Sequence, residues 1–282
     1  MLYSEKLNQF KQDFPARTIT VDGAEFRYVL CGKDAGRTLV LLNGGMNTLE
    51  MWMDYAQELS KDERVLLFDY PQALRTNGEL ITGMHAFFAR VGVENPIFAG
   101  ASDGGMVAQL YTQKYPREVG GLVLISTGGM DEKTIRTLKK QYRFGLLMLW
   151  YMKHCNYEKL KPRLIKASLR HLRNENADEN AYAKDMFETI FRDFPQEKDV
   201  HISSLLLDLL KQTPVTEKDF AALSGKILLI LPEQDFFSAE MQKSLTELMH
   251  EPEIVCVPGG HLGTVLQAEA YIRVIRDFLK KQ

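Results

Sequence analysis

Apolar and polar positions along this chain follow two rhythms. Short continuous apolar runs at Thr38–Leu42, Arg64–Phe68, Ile97–Ala99, Gly121–Ile125 and Lys226–Leu231 have the length of strands buried on both faces. Between them the apolar residues recur at helical spacing. One helix is predicted from about Thr48, where Thr48 can cap the first turn, and others over Glu79–Val91 and Ser238–His250. After Ser102, the positions Met106, Val107, Leu110 and Tyr111 predict a helix with one buried face. The last helix carries the stripe Ala268, Tyr271, Ile272, Ile275, Phe278 and Leu279, preceded by a strand at Glu253–Val257. Near the start, Arg17–Val21 and Ala24–Cys31 read as two strands joined at Asp22-Gly23, a strong hairpin signal. Strands alternating with helices predict an α/β fold, a mostly parallel central sheet flanked by helices.

That rhythm stops at Ser126-Thr127-Gly128-Gly129, and from Met130 to about Leu223 only helical segments and polar turns occur. The predicted organisation is a core built from residues 1–129 and 224–282, interrupted by an all-helical cap over residues 130–223. Helices inserted at the carboxyl edge of such a sheet lie over the ligand crevice.

Composition narrows the function classes. The chain of 282 residues, 45% hydrophobic and 26% charged, suits a globular protein with a sizeable core. A formal net charge of −2 argues against a general nucleic-acid binder. Cys31, Cys155 and Cys256 are odd in number, scattered and without metal-ligand spacing, which fits a reducing cytoplasm. The polar start MLYSEKLNQFKQDFP has no apolar h-region of a signal peptide. The apolar run from Phe144 to Met152 is too short to span a bilayer. Nothing in the pattern implies a metal or an organic cofactor, and homo-oligomerisation stays open.

The chemistry gathers where strands end. Ile97–Ala99 runs into Gly100-Ala101-Ser102-Asp103-Gly104 and leaves as a helix. A strand turning directly into a helix needs backbone without β-carbons in the way, and such a turn lifts the serine hydroxyl clear of the sheet. The helix N-terminus behind it offers free N–H groups where an oxyanion would form. Lys226–Leu231 ends in Pro232-Glu233-Gln234-Asp235, and Glu253–Val257 ends in Pro258-Gly259-Gly260-His261. A serine hydroxyl becomes a nucleophile only when a base takes its proton, and an acid holds that base in the right tautomer.

On these residues the chain resembles an α/β-hydrolase-fold serine hydrolase with a helical cap, over nearly its whole length. The resemblance implies Ser102 as nucleophile, Asp235 as acid and His261 as base. Asp131, which follows the strand before the cap, is the rival acid. The family's oxyanion-hole loop matches Asn43-Gly44-Gly45-Met46, so the oxyanion donors would be backbone N–H groups of Asp103 and of Gly45 or Met46. Three departures stand out. Asn43 replaces the loop histidine, Pro232 stands where glycine is usual, and Asp103 puts a carboxylate next to the nucleophile. That carboxylate is expected to point outward and cap the helix start. The other histidines, His85, His154, His171, His201 and His250, read as structural or surface residues.

The resemblance implies hydrolysis of an ester-like bond in a small, hydrophobic substrate through an acyl-enzyme. Carbon–carbon bond hydrolysis, a proline-iminopeptidase-like activity and a non-catalytic ligand-binding role are the alternatives. The serine disfavours the dehalogenase and epoxide-hydrolase branches, which attack with aspartate. Within the cap, Lys133–Arg173 is basic with Glu158 its one acid, and Glu175–Asp208 is mostly acidic. Two solvated or mutually facing stretches explain this. The alternative is that FGLLMLWYM forms an acyl-binding wall whose cationic neighbours guide an anionic substrate or surface.

Overall fold

The computed structural model describes residues 1–33, 36–169 and 176–282. His171, read above as a structural or surface residue, and Arg173 and Glu175, which bound the charge pattern, lie outside the described residues. The strands are β1 (Arg17–Val21), β2 (Ala24–Gly32), β3 (Thr38–Leu42), β4 (Arg64–Phe68), β5 (Ile97–Ala101), β6 (Gly121–Ile125), β7 (Ile227–Gln234) and β8 (Glu253–Gly260). They form one sheet in the order β1-β2-β4-β3-β5-β6-β7-β8. The hairpin β1–β2 and the β2–β4 pair are antiparallel, and every other pair is parallel. All five residues of β3 and of β6 are buried, as continuous apolar runs require.

Helices cover both faces. On one lie α3 (Asn77–Val91), α4 (Asp103–Lys114) and α10 (Ala239–Leu248), packed on Val40, Leu66, Phe98 and Leu124. On the other lie α1 (Tyr3–Asp13), α2 (Met53–Leu59), the short α11 (Gly263–Leu266) and α12 (Ala268–Leu279), packed on Leu41, Leu67, Ala99 and Val123. Alternate residues of β3, β4, β5 and β6 thus feed opposite cores, the period-2 rule of a strand. All six positions of the α12 stripe are buried.

Several local expectations change. Residues Leu49–Trp52 form a 3-10 turn before α2, and the Thr48 side chain makes no cap bond. Its hydroxyl instead donates to the Glu50 carboxylate, which Arg27 also holds. The helix α4 is buried at every residue from Gly104 to Thr112, not along one face, because it is wedged between the sheet and neighbouring helices. The start of the chain, read as merely polar, forms α1, whose Tyr3, Leu7 and Phe10 are buried.

Between β6 and β7 the described residues hold only helices: α5 (Glu132–Gln141), α6 (Gly145–His154), α7 (Tyr157–Leu169), α8 (Ala177–Arg192), α9 (Gln196–Leu209) and a 3-10 turn at Glu217–Leu223. Directed bonds tie them to the rest, among them those at the starts of α3 and α1. Asn77 donates its backbone N–H to Asp208 Oδ2 (2.8 Å) and its side-chain amide to Leu205 O (2.8 Å). Ser4 N–H donates to Asp185 Oδ2 at 2.7 Å.

Candidate active site

The turn from β5 into α4 is as tight as its glycines suggest. A β-carbon on Gly100 would lie 2.4 Å from Gly104 O, and one on Gly104 would lie 2.3 Å from Leu42 O. Neither contact is physically tolerable, so both positions need glycine. Ser102 sits between them at φ 52° and ψ −121°, a left-handed conformation costly for a residue with a β-carbon. The turn is held by Ser102 N–H donating to Ile125 O (3.0 Å) and by Thr127 Oγ1 donating to Ser102 O (2.7 Å).

Two further strand ends meet this serine. His261 Nε2 stands 3.1 Å from Ser102 Oγ, and His261 Nδ1 stands 2.6 Å from Asp235 Oδ1. The Asp235 side chain is fully buried, and its Oδ1 also accepts the Phe236 N–H at 2.6 Å. This network assigns the Nδ1–H tautomer, leaving Nε2 as the acceptor for the serine hydroxyl. The rings of Phe236 and Phe237 flank the imidazole with centroids about 6 Å away. Asp131 stands elsewhere: its Oδ1 caps α5 by accepting the N–H groups of Lys133 and Thr134, each at 3.0 Å.

Opposite His261 lies the loop after β3. Asn47 N–H donates to Gly44 O at 2.9 Å, closing a turn in which, among the described residues, the N–H groups of Gly45 and Met46 are uncommitted. Both residues line the same cavity as Ser102 and Asp103. The residue replacing the expected histidine has a bracing task. Asn43 is buried and donates its amide to Phe68 O (2.6 Å) and Asn47 Oδ1 (3.3 Å). Asn47 in turn accepts Tyr70 N–H (2.7 Å) and donates to Tyr70 O (3.1 Å), and Tyr70 Oη donates to Asn43 O (3.0 Å). Sequence reading missed Asn47 and Tyr70. The pair of asparagines four apart around two glycines was the available signal, since Asn readily supplies side-chain bonds to a tight turn.

Asp103 contradicts its expected outward orientation. No side chain caps the start of α4, and the Asp103 carboxylate faces the cavity, where a β-carbon on Gly45 would lie 3.6 Å from its Oδ2. The cause is geometric. Parallel pairing of β3 with β5 sets the 43–47 loop beside the first turn of α4, so its first side chain meets that loop. Burial pushes the Asp103 carboxyl up to about 6, against the opposing pull of His261.

The cavity has a volume of about 580 Å³. Its walls include Met51, Trp52, Met106, Leu138, Tyr142, Phe187, Leu206 and Leu209, mostly apolar and drawn from both the sheet loops and the inserted helices. The alternative of an acyl-binding wall at Phe144–Met152 is not met, since none of these residues lines the cavity. That segment turns outward, and α5, α8 and α9 supply the apolar wall instead. Among the described residues no group of His, Cys, Asp and Glu has a metal-binding arrangement.

The likeness to known proteins agrees with this architecture. A family model for the alpha/beta hydrolase fold matches residues 37–206. A proline iminopeptidase from Pestalotiopsis fici, PfmaB, is 25% identical over 291 residues, which cover 93% of this chain and 99% of that protein. A hydrolase from Pseudomonas aeruginosa superposes with a TM-score of 0.75 at 19% identity, covering 94% of this chain and 98% of its own. The enol-lactonase from Burkholderia xenovorans superposes with a TM-score of 0.74 at 17% identity, covering 94% of this chain and all of its own. With more than half of its length inside the matched region and this sheet beneath its site, the chain belongs to the alpha/beta hydrolase fold family.

Proposed function

We propose that this protein is a serine hydrolase that cleaves an ester-like bond of a small hydrophobic substrate. The observation that carries the reading is the unbroken relay from Ser102 Oγ through His261 to buried Asp235 inside one largely apolar cavity. Ser102 Oγ attacks the carbonyl carbon while His261 Nε2 takes its proton. The tetrahedral oxyanion is held by backbone N–H groups of Asp103 and of Gly45 or Met46, each worth on the order of 10²–10³ in rate. Collapse breaks the bond to the leaving alcohol, which takes the proton from His261. Water then gives its proton to His261, adds to the acyl carbon, and the acid product leaves as the proton returns to Ser102. Asp235 keeps the imidazole in its working tautomer and stabilises the imidazolium. Residues 130–223 act as a cap over this site and set the length of acyl chain accepted.

The test is hydrolysis of p-nitrophenyl esters of rising chain length by wild type and Ser102→Ala. A loss of about a thousandfold or more in the variant is expected. An inactive wild type that also resists a fluorophosphonate label would overturn the reading in favour of a non-catalytic binder.

A second reading has specific support. Asp103 places a carboxylate beside Ser102, and a relative along nearly the whole chain is a proline iminopeptidase. A substrate with a free amino group near the scissile carbonyl would neutralise that charge as it binds. Faster cleavage of prolyl p-nitroanilide than of its N-acetyl form, with the preference lost in Asp103→Asn, would favour the aminopeptidase reading over the esterase.

A further inference from the structure

We propose that α6 and its cationic flanks form a docking surface for anionic lipid. The helix α6 is ten residues long, about 15 Å, and so cannot cross a bilayer. No described helix is long and apolar enough to do so. Yet Phe144, Leu146, Leu147, Met148, Trp150 and Tyr151 are 42–69% exposed, and they make up six of the ten large apolar residues exposed among the described residues. A contiguous apolar patch of this kind marks a binding surface on an otherwise ordinary exterior.

Its orientation is set from behind. Leu146, Leu147, Trp150 and Tyr151 share one arc of the helix, since residues three to four apart lie on the same face. On the opposite arc Met152 is buried, and Gly145 meets α9 so closely that a β-carbon there would lie 2.4 Å from Leu207 Cδ2. The apolar arc therefore faces away from the protein by construction.

Charge identifies the occupant. From Lys133 to Lys153 the chain has six cationic side chains and no acidic one, in a protein of net charge −2. Lys133 pairs with Glu240 and Arg136 with Glu132. Among the described residues Lys139, Lys140, Arg143 and Lys153 have no ion-pair partner, and all four are exposed. The Arg143 guanidinium rests over the Phe144 ring, 4.8 Å from its centroid, at the edge of the patch. An apolar plateau with aromatic rings and an unneutralised cationic collar at both ends matches the boundary between acyl chains and anionic headgroups. Each lysine or arginine at such a surface strengthens binding roughly fivefold at moderate salt. A second copy of this chain fits less well, because a twofold contact would set the two cationic collars against each other.

The surface borders the cavity. Leu138 and Tyr142, just before α6, and Leu206 and Leu209, on the helix behind it, all line the space that holds Ser102. A hydrophobic ester dissolved in lipid would reach the serine from this side, which rests on the hydrolase reading above. Docking itself does not.

The test is sedimentation of the intact protein with vesicles of phosphatidylglycerol mixed with phosphatidylcholine, and with vesicles of phosphatidylcholine alone, at low and high salt. Binding to the anionic vesicles is expected, about tenfold or more weaker on neutral vesicles or at high salt. Because Trp52 is buried, a blue shift in tryptophan emission on binding reports Trp150. Two variants on exposed side chains, Leu147→Ser with Trp150→Ser, and Lys139→Glu with Lys140→Glu and Arg143→Glu, should each weaken binding about tenfold or more with Tm unchanged. Absence of binding to any vesicle, or binding indifferent to both variants, would overturn the proposal. So would a dimer in solution that the Leu147 and Trp150 variant separates, since that would give the patch to a second copy. Vesicle binding is read without turnover, so its failure is distinct from failure of the hydrolase reading.

Discussion

A carboxylate one residue from the proposed nucleophile works against the proposed oxyanion in the same cavity, because both are negative where little water screens them. Asp103 is in that position, and its carboxyl is raised from 3.8 to about 6 by burial. The native state therefore holds a proton that the unfolded chain has already released over the window between those values. Stability falls as pH climbs through that window, and the cost of the buried charge is fully present above it. Asp103→Asn removes the cost. Thermal unfolding should show a gain in Tm at about pH 8 that shrinks toward about pH 4; an equal gain at both would sink the account. Ser102 stores a different cost, its φ of 52°. Ser102→Gly should raise the urea-unfolding free energy by about 1–2 kcal/mol while abolishing hydrolysis, as relief of left-handed strain predicts. The chain positions of Ser102, Asp235 and His261 were legible, since each follows an apolar run at the carboxyl end of a strand. The direction of Asp103 was not. It depends on the loop that a neighbouring strand brings alongside, which is a fact of pairing and not of local sequence.

At the level of elements, buried strands announce themselves because an apolar run with both faces covered admits no polar residue. Elements held by polar contacts announce nothing. The 3-10 turn Leu49–Trp52, next to the 43–47 loop, is anchored by Arg27, which binds Glu50 and Asp69 (2.9 Å to Asp69 Oδ2), while Leu49 N–H donates to Asp69 Oδ1 at 2.8 Å. Burial works to raise the Glu50 carboxyl, but the Arg27 bonds and charge outweigh it and hold it below its ordinary value. Arg27→Met leaves Glu50 enclosed without a cation and Asp69 with only Lys198, 3.9 Å from its Oδ2. The expected loss is about 3–5 kcal/mol in urea unfolding, largely restored when Glu50→Gln and Asp69→Asn are added. A loss below about 1 kcal/mol would mean that the cluster behaves as a surface pair. The same blindness explains α1. Its Tyr3, Leu7 and Phe10 do recur at helical spacing, but the surrounding polar residues masked a helix whose buried face exists only because α2 and α8 lie against it.

At the scale of the whole molecule, the helices between β6 and β7 join both cores, through Leu138, Leu205 and Leu209 on one face of the sheet and Met186 and Phe187 on the other, and directed bonds fix where they sit. Asn77, at the start of α3 and nearly fully buried, is one such bond donor. Its backbone N–H and amide hold Asp208 and Leu205 on α9, and α9 both lines the cavity through Leu206 and Leu209 and carries α6 on its back. Truncation of this one side chain thus reaches the site without touching the reacting atoms. Asn77→Ala leaves Leu205 O without its donor and Asp208 with only the backbone N–H and Gln212, which binds it at 2.8 Å. The expected cost is about 1–3 kcal/mol of stability. Loosening α9 widens the far end of the cavity and leaves the relay near Ser102 intact, so the two ends of the acyl chain should report differently. For p-nitrophenyl esters, KM should rise with chain length in the variant relative to wild type, while kcat for the acetyl ester stays the same. A uniform fall in kcat across all chain lengths would show instead that Asn77 supports the chemistry at Ser102, and that the helical segment and the reacting centre form one rigid unit.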